Sequence, residues 1–84
     1  GQRDGLIEAS RGLLSSRSWV ARWIAVEALG ALSAKDDADR VAALAKDKAR
    51  LVGYWGDQTQ VPKADRKVEP TLGQRAAEIA KSLR

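Results

Sequence analysis

The sequence predicts an all-α fold of four helices in two antiparallel pairs, with a long irregular insertion before the last helix. Apolar residues recur at the spacing of one helix face in four segments, and runs of turn residues separate most of them. Fifteen of the 84 residues are alanine, a strong helix former whose small side chain lets helices approach closely. The pattern of the second segment also returns near the end of the chain, as expected for a helical repeat.

The first two helices form the first predicted pair. In the first helix, residues 4–15, Asp4 is the predicted N-cap or first-turn acid, and one face is apolar: Leu6, Ile7, Leu13 and Leu14. The second helix, residues 19–32, is apolar nearly all round, since Arg22 and Glu27 are its only charged residues. A helix of this kind must be covered on nearly all sides, so we expect it to lie in the middle of the domain.

The insertion interrupts the second predicted pair. Asp36 or Asp37 is the predicted N-cap of a third helix that reaches about Arg50. Residues 53–69 show no usable period, and a loop of this length is usually functional or disordered. Pro70 is expected in the first turn of the fourth helix, whose apolar stripe has helical spacing: Leu72, Ala76, Ile79, Ala80 and Leu83.

The second and fourth helices are related in sequence. Residues 24–32 align with residues 75–83, and the alignment matches alanine, glutamate and leucine at three positions: Ala25 with Ala76, Glu27 with Glu78, and Leu32 with Leu83. The chain is therefore predicted to be a single domain in which one helix-pair repeat is used twice, over residues 4–33 and 36–84. The insertion lies inside the second copy.

The second helix resembles the second helix of a bacterial HEAT-like repeat at six positions: Arg22, Ala25, Ala28, Leu29, Gly30 and Leu32. The third helix is similar to the first helix of that family over residues 39–47, including its trailing Asp47. The fourth helix departs from the pattern, with Gly73 in place of the arginine and Lys81 in place of the glycine. The second repeat is therefore degenerate, which is common in terminal repeats.

The resemblance implies an α-solenoid fragment, whose usual role is to bind another macromolecule on stacked helices. The implied function is a non-catalytic protein-interaction or scaffold module, with a protein partner or with adjacent repeats of a parent protein. A nucleic-acid-binding HEAT-like domain and the regulatory arm of a multidomain enzyme are the alternatives. Two repeats are fewer than the three or so that stability normally requires, so either the insertion caps the stack or the chain belongs to a longer protein. The start at Gly1 without methionine favours the longer protein.

The composition excludes several classes of function. The chain has no cysteine and no histidine, which excludes a disulfide scaffold, a thiol nucleophile and any histidine-based catalytic or metal site. We predict no enzyme activity and no cofactor. Asp36, Asp37 and Asp39 lack the pattern of an EF-hand loop, so we assign them as helix-start acids. No apolar run approaches the ~20 residues of a membrane-spanning helix. The lack of cysteine is compatible with the cytoplasm, which we favour, and with the periplasm.

The candidate partner-binding residues are the four aromatic residues of the chain: Trp19, Trp23, Tyr54 and Trp55. Trp19 and Trp23 share one face of the second helix, where they are either core residues or an exposed binding site. Tyr54 and Trp55 lie in the polar insertion between two glycines, where they either anchor a partner or fold back to close the small core. The sequence leaves both alternatives open for each pair.

The charge pattern gives a weak second candidate. A net charge of +4 is spread along the chain with acids interleaved, which is typical of a solvated mixed-charge surface. Lys63, Arg66 and Lys67 come nearest to a basic patch, but Asp65 and Glu69 lie among them. Modules that bind nucleic acid gather their basic residues on one face, so nucleic acid is not the favoured partner.

Overall fold

The computed structural model describes residues 1–84. It has no β-strand and four α-helices: Gln2–Leu13 (α1), Trp19–Ala31 (α2), Ala38–Ala42 (α3) and Leu72–Leu83 (α4). Helix α1 packs on α2, α3 packs on α4, and α2 also packs on α4, so that the two pairs form one body. Both pairs are antiparallel, because Arg3 donates to the carbonyl of Leu32 and Arg84 donates to Asp39. The all-α fold with two packed helix pairs is confirmed.

Capping residues explain where α2 and α4 begin. Ser18 is the N-cap of α2, and its hydroxyl accepts a hydrogen bond from the backbone N–H of Ala21. Thr71 and Gln74 form a capping box at the start of α4, each side chain accepting from the backbone N–H of the other residue. The prediction that Pro70 lies in the first turn of α4 was wrong, because this capping box fixes the start at Leu72.

Helix α1 begins two residues earlier than the sequence predicts, at Gln2. Gly1 is its N-cap residue, without a side-chain hydrogen bond, and Asp4 lies in the first turn. An acid there is favourable beside the positive end of the helix dipole, which was one of the two predicted roles of Asp4.

Helix α3 is much shorter than the sequence predicts. It follows a single 3₁₀ turn, Lys35–Asp37, and ends at Ala42, whereas helical spacing predicted a helix to about Arg50. Residues 43–46 form turns, and the backbone after them bonds to the start of α4: the carbonyl of Asp47 accepts from Gly73 N–H, and the carbonyl of Ala49 accepts from Leu72 N–H. These carbonyls face another segment, so residues 47–50 cannot continue the helix.

The core lies between the two helix pairs. The predicted apolar stripe of α4 is buried along its whole length, as is the inner face of α2, which consists of Ala25, Val26 and Leu29. Val41 of α3 and Leu51, at the base of the insertion, complete the centre of the core. The prediction that α2 is covered on nearly all sides was wrong, because Val20 and Ile24 are 44% and 57% exposed.

The insertion lengthens the molecule. The radius of gyration is 13.9 Å and the principal extents are 46 × 23 × 21 Å, whereas a compact chain of this length has a radius of gyration of about 12 Å. Two polar side chains hold the insertion together as an irregular hairpin. Gln58 donates to the carbonyl of Lys67 and accepts from its N–H, and Arg66 donates to the carbonyls of Val61 and Thr59. One 3₁₀ turn, Lys63–Asp65, lies near the tip.

Candidate functional site

The structure brings all four aromatic residues into one continuous line, which we call the aromatic row: Trp19, Trp23, Tyr54 and Trp55. The rings of Trp19 and Trp23 are stacked with centroids 6.1 Å apart, as expected for two residues one turn apart on α2. Tyr54 stacks against Trp23 at 6.2 Å, and Trp55 meets Tyr54 edge to face at 4.8 Å. The row therefore connects the first helix pair to the insertion.

An ion pair supports the middle of the aromatic row. Arg75 of α4 binds both carboxylate oxygens of Glu27 on α2, at 2.6 and 2.8 Å, and its guanidinium lies 6.0 Å from the ring centroid of Tyr54. Glu27 also accepts a hydrogen bond from the indole N–H of Trp23 at 3.0 Å. These bonds, that from Arg75 first, lower the pKa of Glu27, and the bond from Glu27 raises the pKa of Arg75. The ion pair therefore contacts both central rings of the row: Glu27 binds the indole N–H of Trp23, and Arg75 lies beside the ring of Tyr54.

The insertion fixes the far end of the aromatic row. The indole N–H of Trp55 donates to the carbonyl of Val68 on the opposite side of the hairpin, at 3.2 Å. The ammonium group of Lys67 lies 4.5 Å from the ring centroid of Trp55, within the range of a cation–π interaction. Gly53 and Gly56 flank the two aromatic residues and have φ of +88° and +75°, a backbone conformation that residues other than glycine rarely adopt. The glycines thus permit the turn that presents Tyr54 and Trp55.

Trp23 joins the aromatic row to an exposed apolar face of α2. We call this face the outer seam; it consists of Val20, Ile24, Glu27 and Ala31. Val20, Trp23, Ile24 and Glu27 line a shallow cavity of about 350 Å³. Trp55 at the other end of the row is 45% exposed, whereas Trp19, Trp23 and Tyr54 are half-buried. Together the row and the seam form one apolar surface, the arrangement expected of an interaction site.

The aromatic residues thus combine the two roles that the sequence left open. Trp19, Trp23 and Tyr54 pack against the core with one part of their surface and face solvent with the rest. Sequence reasoning treated the four aromatics as two separate pairs and did not select Val20, Ile24 or Arg75. The exposure of Val20 and Ile24 has a signal in the sequence, since they continue an i, i+4 pattern on the side of α2 opposite Ala25 and Leu29. The role of Arg75 has none.

The three residues of the suggested basic patch have different surroundings. The guanidinium of Arg66 donates to backbone carbonyls inside the insertion, and the ammonium of Lys67 lies over Trp55. The side chain of Lys63 makes no hydrogen bond or ion pair. Two of the three cations are therefore engaged within the insertion itself.

A second, polar cavity of about 430 Å³ lies between α1 and the turn before α3. Its wall includes the ion pair between Arg11 and Asp37, in which both carboxylate oxygens of Asp37 accept from Arg11 at 2.7 and 3.1 Å. Arg40 also donates to this buried carboxylate, and these bonds, Arg11 first, lower the pKa of Asp37. Asp37 is the N-cap residue of α3 but its side chain caps no N–H group, because the two arginines occupy it. No group of three or more acidic residues is arranged to hold a metal ion.

Replacing Tyr54 by alanine is expected to destabilise the protein by about 2 kcal/mol, because it removes the ring between Trp23 and Trp55. Urea unfolding followed by far-UV circular dichroism measures the change, and near-UV circular dichroism reports the loss of the coupled aromatic signal. Val68→Ala is the matched control in the same insertion, because Val68 is 82% exposed. Equal unfolding free energies of the two variants would show that the packing of Tyr54 in the aromatic row does not stabilise the protein.

Comparison with protein-family models, with curated proteins and with solved structures finds no match to this chain. The HEAT-like resemblance therefore stays a prediction based on residues 22–32 and 39–47. Two of those residues do meet in the structure: the guanidinium of Arg22 donates to the carboxylate of Asp47 at 2.9 Å and to the carbonyls of Ser16 and Arg17. No helix is both long enough and apolar enough to cross a membrane.

Proposed function

We propose that this protein is a non-catalytic helical-repeat module that binds another protein through the aromatic row and the outer seam. The observation that carries the proposal is the continuity of the surface at Trp23, which contacts Tyr54 on one side and shares a cavity with Val20 and Ile24 on the other. The largest contiguous apolar patch on the surface of a monomeric protein is often its interaction site. Tyrosine and tryptophan are also enriched at the centres of protein interfaces.

The packing of the helices supports a repeat architecture of the HEAT-like kind. Two antiparallel helix pairs stack so that α2 of the first lies against α4 of the second. Gly30 of α2 lies close against Ile79 of α4, since a Cβ at Gly30 would lie 3.0 Å from the nearest Ile79 carbon. Close stacking of helix pairs produces the extended surfaces on which repeat proteins bind their partners.

The state of the titratable groups supports a binding role over a catalytic one. The two carboxylates that ion pairs perturb, Asp37 and Glu27, have lowered pKa values because arginines bind them. A general acid or base needs a pKa near the working pH, which burial beside apolar groups or like charges would supply. Carboxylates stabilised in their charged form by arginines suit a structural role.

Photo-cross-linking from the outer seam tests the proposed function. We expect p-benzoylphenylalanine in place of Ile24 to form one discrete cross-linked protein species in an extract of the organism that carries the gene. The same group in place of Ala77, an exposed position of α4, is the control and should give none. Excess unlabelled protein should compete for the cross-link, and excess Ile24→Glu protein should not. A cross-link from both positions, or from neither, would contradict the proposal.

A further inference from the structure

The cavity on α2 has the geometry of a helix-binding hole. Its four lining residues, Val20, Trp23, Ile24 and Glu27, lie at positions i, i+3, i+4 and i+7 of one helix. Four residues at this spacing form the hole that accepts one side chain, the knob, of a facing helix in knobs-into-holes packing. The cavity thus fits a single large apolar side chain that projects from another helix.

The outer seam extends this geometry along α2. Val20, Ile24, Glu27 and Ala31 follow one another at intervals of four, three and four residues, which is the heptad spacing of positions that face a partner helix. Val20, Ile24 and Ala31 are exposed, and no segment of the chain covers them. Leu6 and Leu13 on α1 are exposed as well, but no cavity lies between them. The seam of α2 is therefore the better site for a helix.

We propose, on the basis of the proposed function, that the partner segment is an amphipathic helix with an apolar seam and acidic flanks, which lies along α2. One apolar side chain of this helix fills the cavity beside Trp23. Its remaining seam residues pack on Val20, Ile24 and Ala31, and its end reaches Trp55. The crossing angle is the shallow one of coiled-coil packing.

The charges around the surface favour a partner helix that has acidic residues on both sides of its apolar seam. Glu27 is the only acid of the seam, and Arg75 already neutralises it. Lys67 beside Trp55 and Arg17, which lies just before the N-cap of α2, make no ion pair. Asp57 accepts from the N–H of Thr59 and Glu69 accepts from the N–H of Gly53, and neither acid forms an ion pair with Lys67. Arg17 at the start of α2 and Lys67 over Trp55 therefore present positive charge that no acid of the chain neutralises.

A second copy of the chain fits this surface poorly. The exposed apolar residues of this surface are only Val20, Ile24, Ala31 and Trp55, too few to supply about 800 Å², the area that each partner buries in a stable complex. A parallel pair of α2 helices would also bring together the two helix starts, each of which follows an Arg17. Like charges facing each other oppose association.

Nucleic acid also fits poorly, because the ring faces that bases would stack on are already used. Trp23 has Trp19 and Tyr54 stacked against it, and Lys67 lies over the ring of Trp55. Binding of single strands depends on aromatic faces that are free to stack with bases. The aliphatic side chains of the seam offer a base no such contact.

Binding of two designed peptides tests the inference. The first is a helical peptide of about 18 residues with leucine and alanine alternating at heptad positions a and d and glutamate at e and g. The second has lysine in place of every glutamate. We expect the acidic peptide to bind the wild-type protein with a Kd of tens of micromolar, measured by fluorescence anisotropy, and the basic peptide to bind at least about tenfold more weakly. The difference should shrink as salt is added.

Two variants locate the binding site of the peptide. Ile24→Glu should weaken the acidic peptide at least about tenfold, and Ala77→Glu on α4, the matched control, should leave its Kd unchanged. Both residues are exposed, and circular dichroism checks that both variants fold. No saturation by the acidic peptide up to about 1 mM, equal binding of the two peptides, or an unchanged Kd in Ile24→Glu would overturn the inference.

Two further measurements separate the other occupants and the proposed function itself. Ile24-dependent binding of a poly-dT oligonucleotide, or an Ile24-dependent dimer in sedimentation equilibrium, would assign the surface to nucleic acid or to a second copy and would overturn the inference. If the photo-cross-link at Ile24 forms while the acidic peptide fails, the proposed function stands and the helical partner is wrong. If both fail, both proposals fall.

Discussion

Gly73→Ala is expected to destabilise the protein by about 3 kcal/mol, because no space exists for a side chain at this position. A Cβ on Gly73 would lie 2.3 Å from the carbonyl oxygen of Ala45 and 2.8 Å from that of Asp47. Both obstacles are backbone atoms, and the Asp47 carbonyl is also the acceptor for the N–H of Gly73. Relief of the clash must break this bond or shift the first turn of α4. The free-energy cost of either change exceeds the ~1 kcal/mol that alanine gains over glycine in helix propensity.

Gly12→Ala is the matched control for this prediction. Gly12 is also inside a helix, α1, but a Cβ there would meet no atom within 4 Å. We expect Gly12→Ala to stabilise the protein by roughly 0.5–1 kcal/mol, since it only replaces a poor helix former by a good one. Urea unfolding of both variants measures the two free energies. Changes of the same sign would mean that the approach of α4 to residues 45–47 is not close.

Asp37→Asn is the second substitution with a large expected effect, a loss of about 2–3 kcal/mol. The Asp37 side chain is 1% exposed, and both of its oxygens accept hydrogen bonds from Arg11, with a further bond from Arg40. An amide in the same place has no charge and turns a donor towards a guanidinium. Asp39→Asn is the control two residues away, where the side chain is 96% exposed and its ion pair with Arg84 should contribute little.

The effect of Asp37→Asn should depend on pH. The native pKa of Asp37 is lowered, so its contribution to stability is complete above the ordinary aspartate pKa of about 3.9 and is lost as the pH falls through the native pKa. The difference in unfolding free energy between wild type and Asp37→Asn should therefore be constant from neutral pH to about pH 5 and narrow below about pH 4. A difference that grows on acidification would contradict the ionised, arginine-bound state of Asp37.

The sequence is sufficient to predict a helix when residues in that helix and its cap determine where it begins and ends. The apolar stripe of α4 and the extent of α2 follow from residues within each helix and its cap. The end of α3 does not, because residues 43–50 favour helix by composition, yet residues 43–46 form turns and the carbonyls of Asp47 and Ala49 bond to Gly73 and Leu72, far along the chain. The same pairing requires glycine at position 73, since only glycine allows the contact with residues 45–47.

The candidate site shows a similar division. The four aromatic residues stood out in the sequence because there are only four, but their stacking depends on where the insertion folds back. The support from Arg75 depends on the packing of α4 against α2, which brings together residues 48 positions apart. Periodicity does not encode either relation. Side chains whose partners lie in distant segments are therefore the ones that sequence reasoning missed.

The hydrogen bonds at the base of the insertion make it a closed unit that is suited to loop exchange. Leu51 N–H donates to the carbonyl of Pro70, and Arg50 and Thr71 form an antiparallel bridge, so the two ends of the loop are held side by side. The entropy of closing a loop rises by only about 0.6 kcal/mol for each doubling of its length. A foreign peptide in place of residues 57–66 keeps these bonds and keeps Tyr54 and Trp55, so we expect it to leave the geometry of the four helices unchanged. The tip of the insertion is therefore a position at which new recognition loops can be displayed.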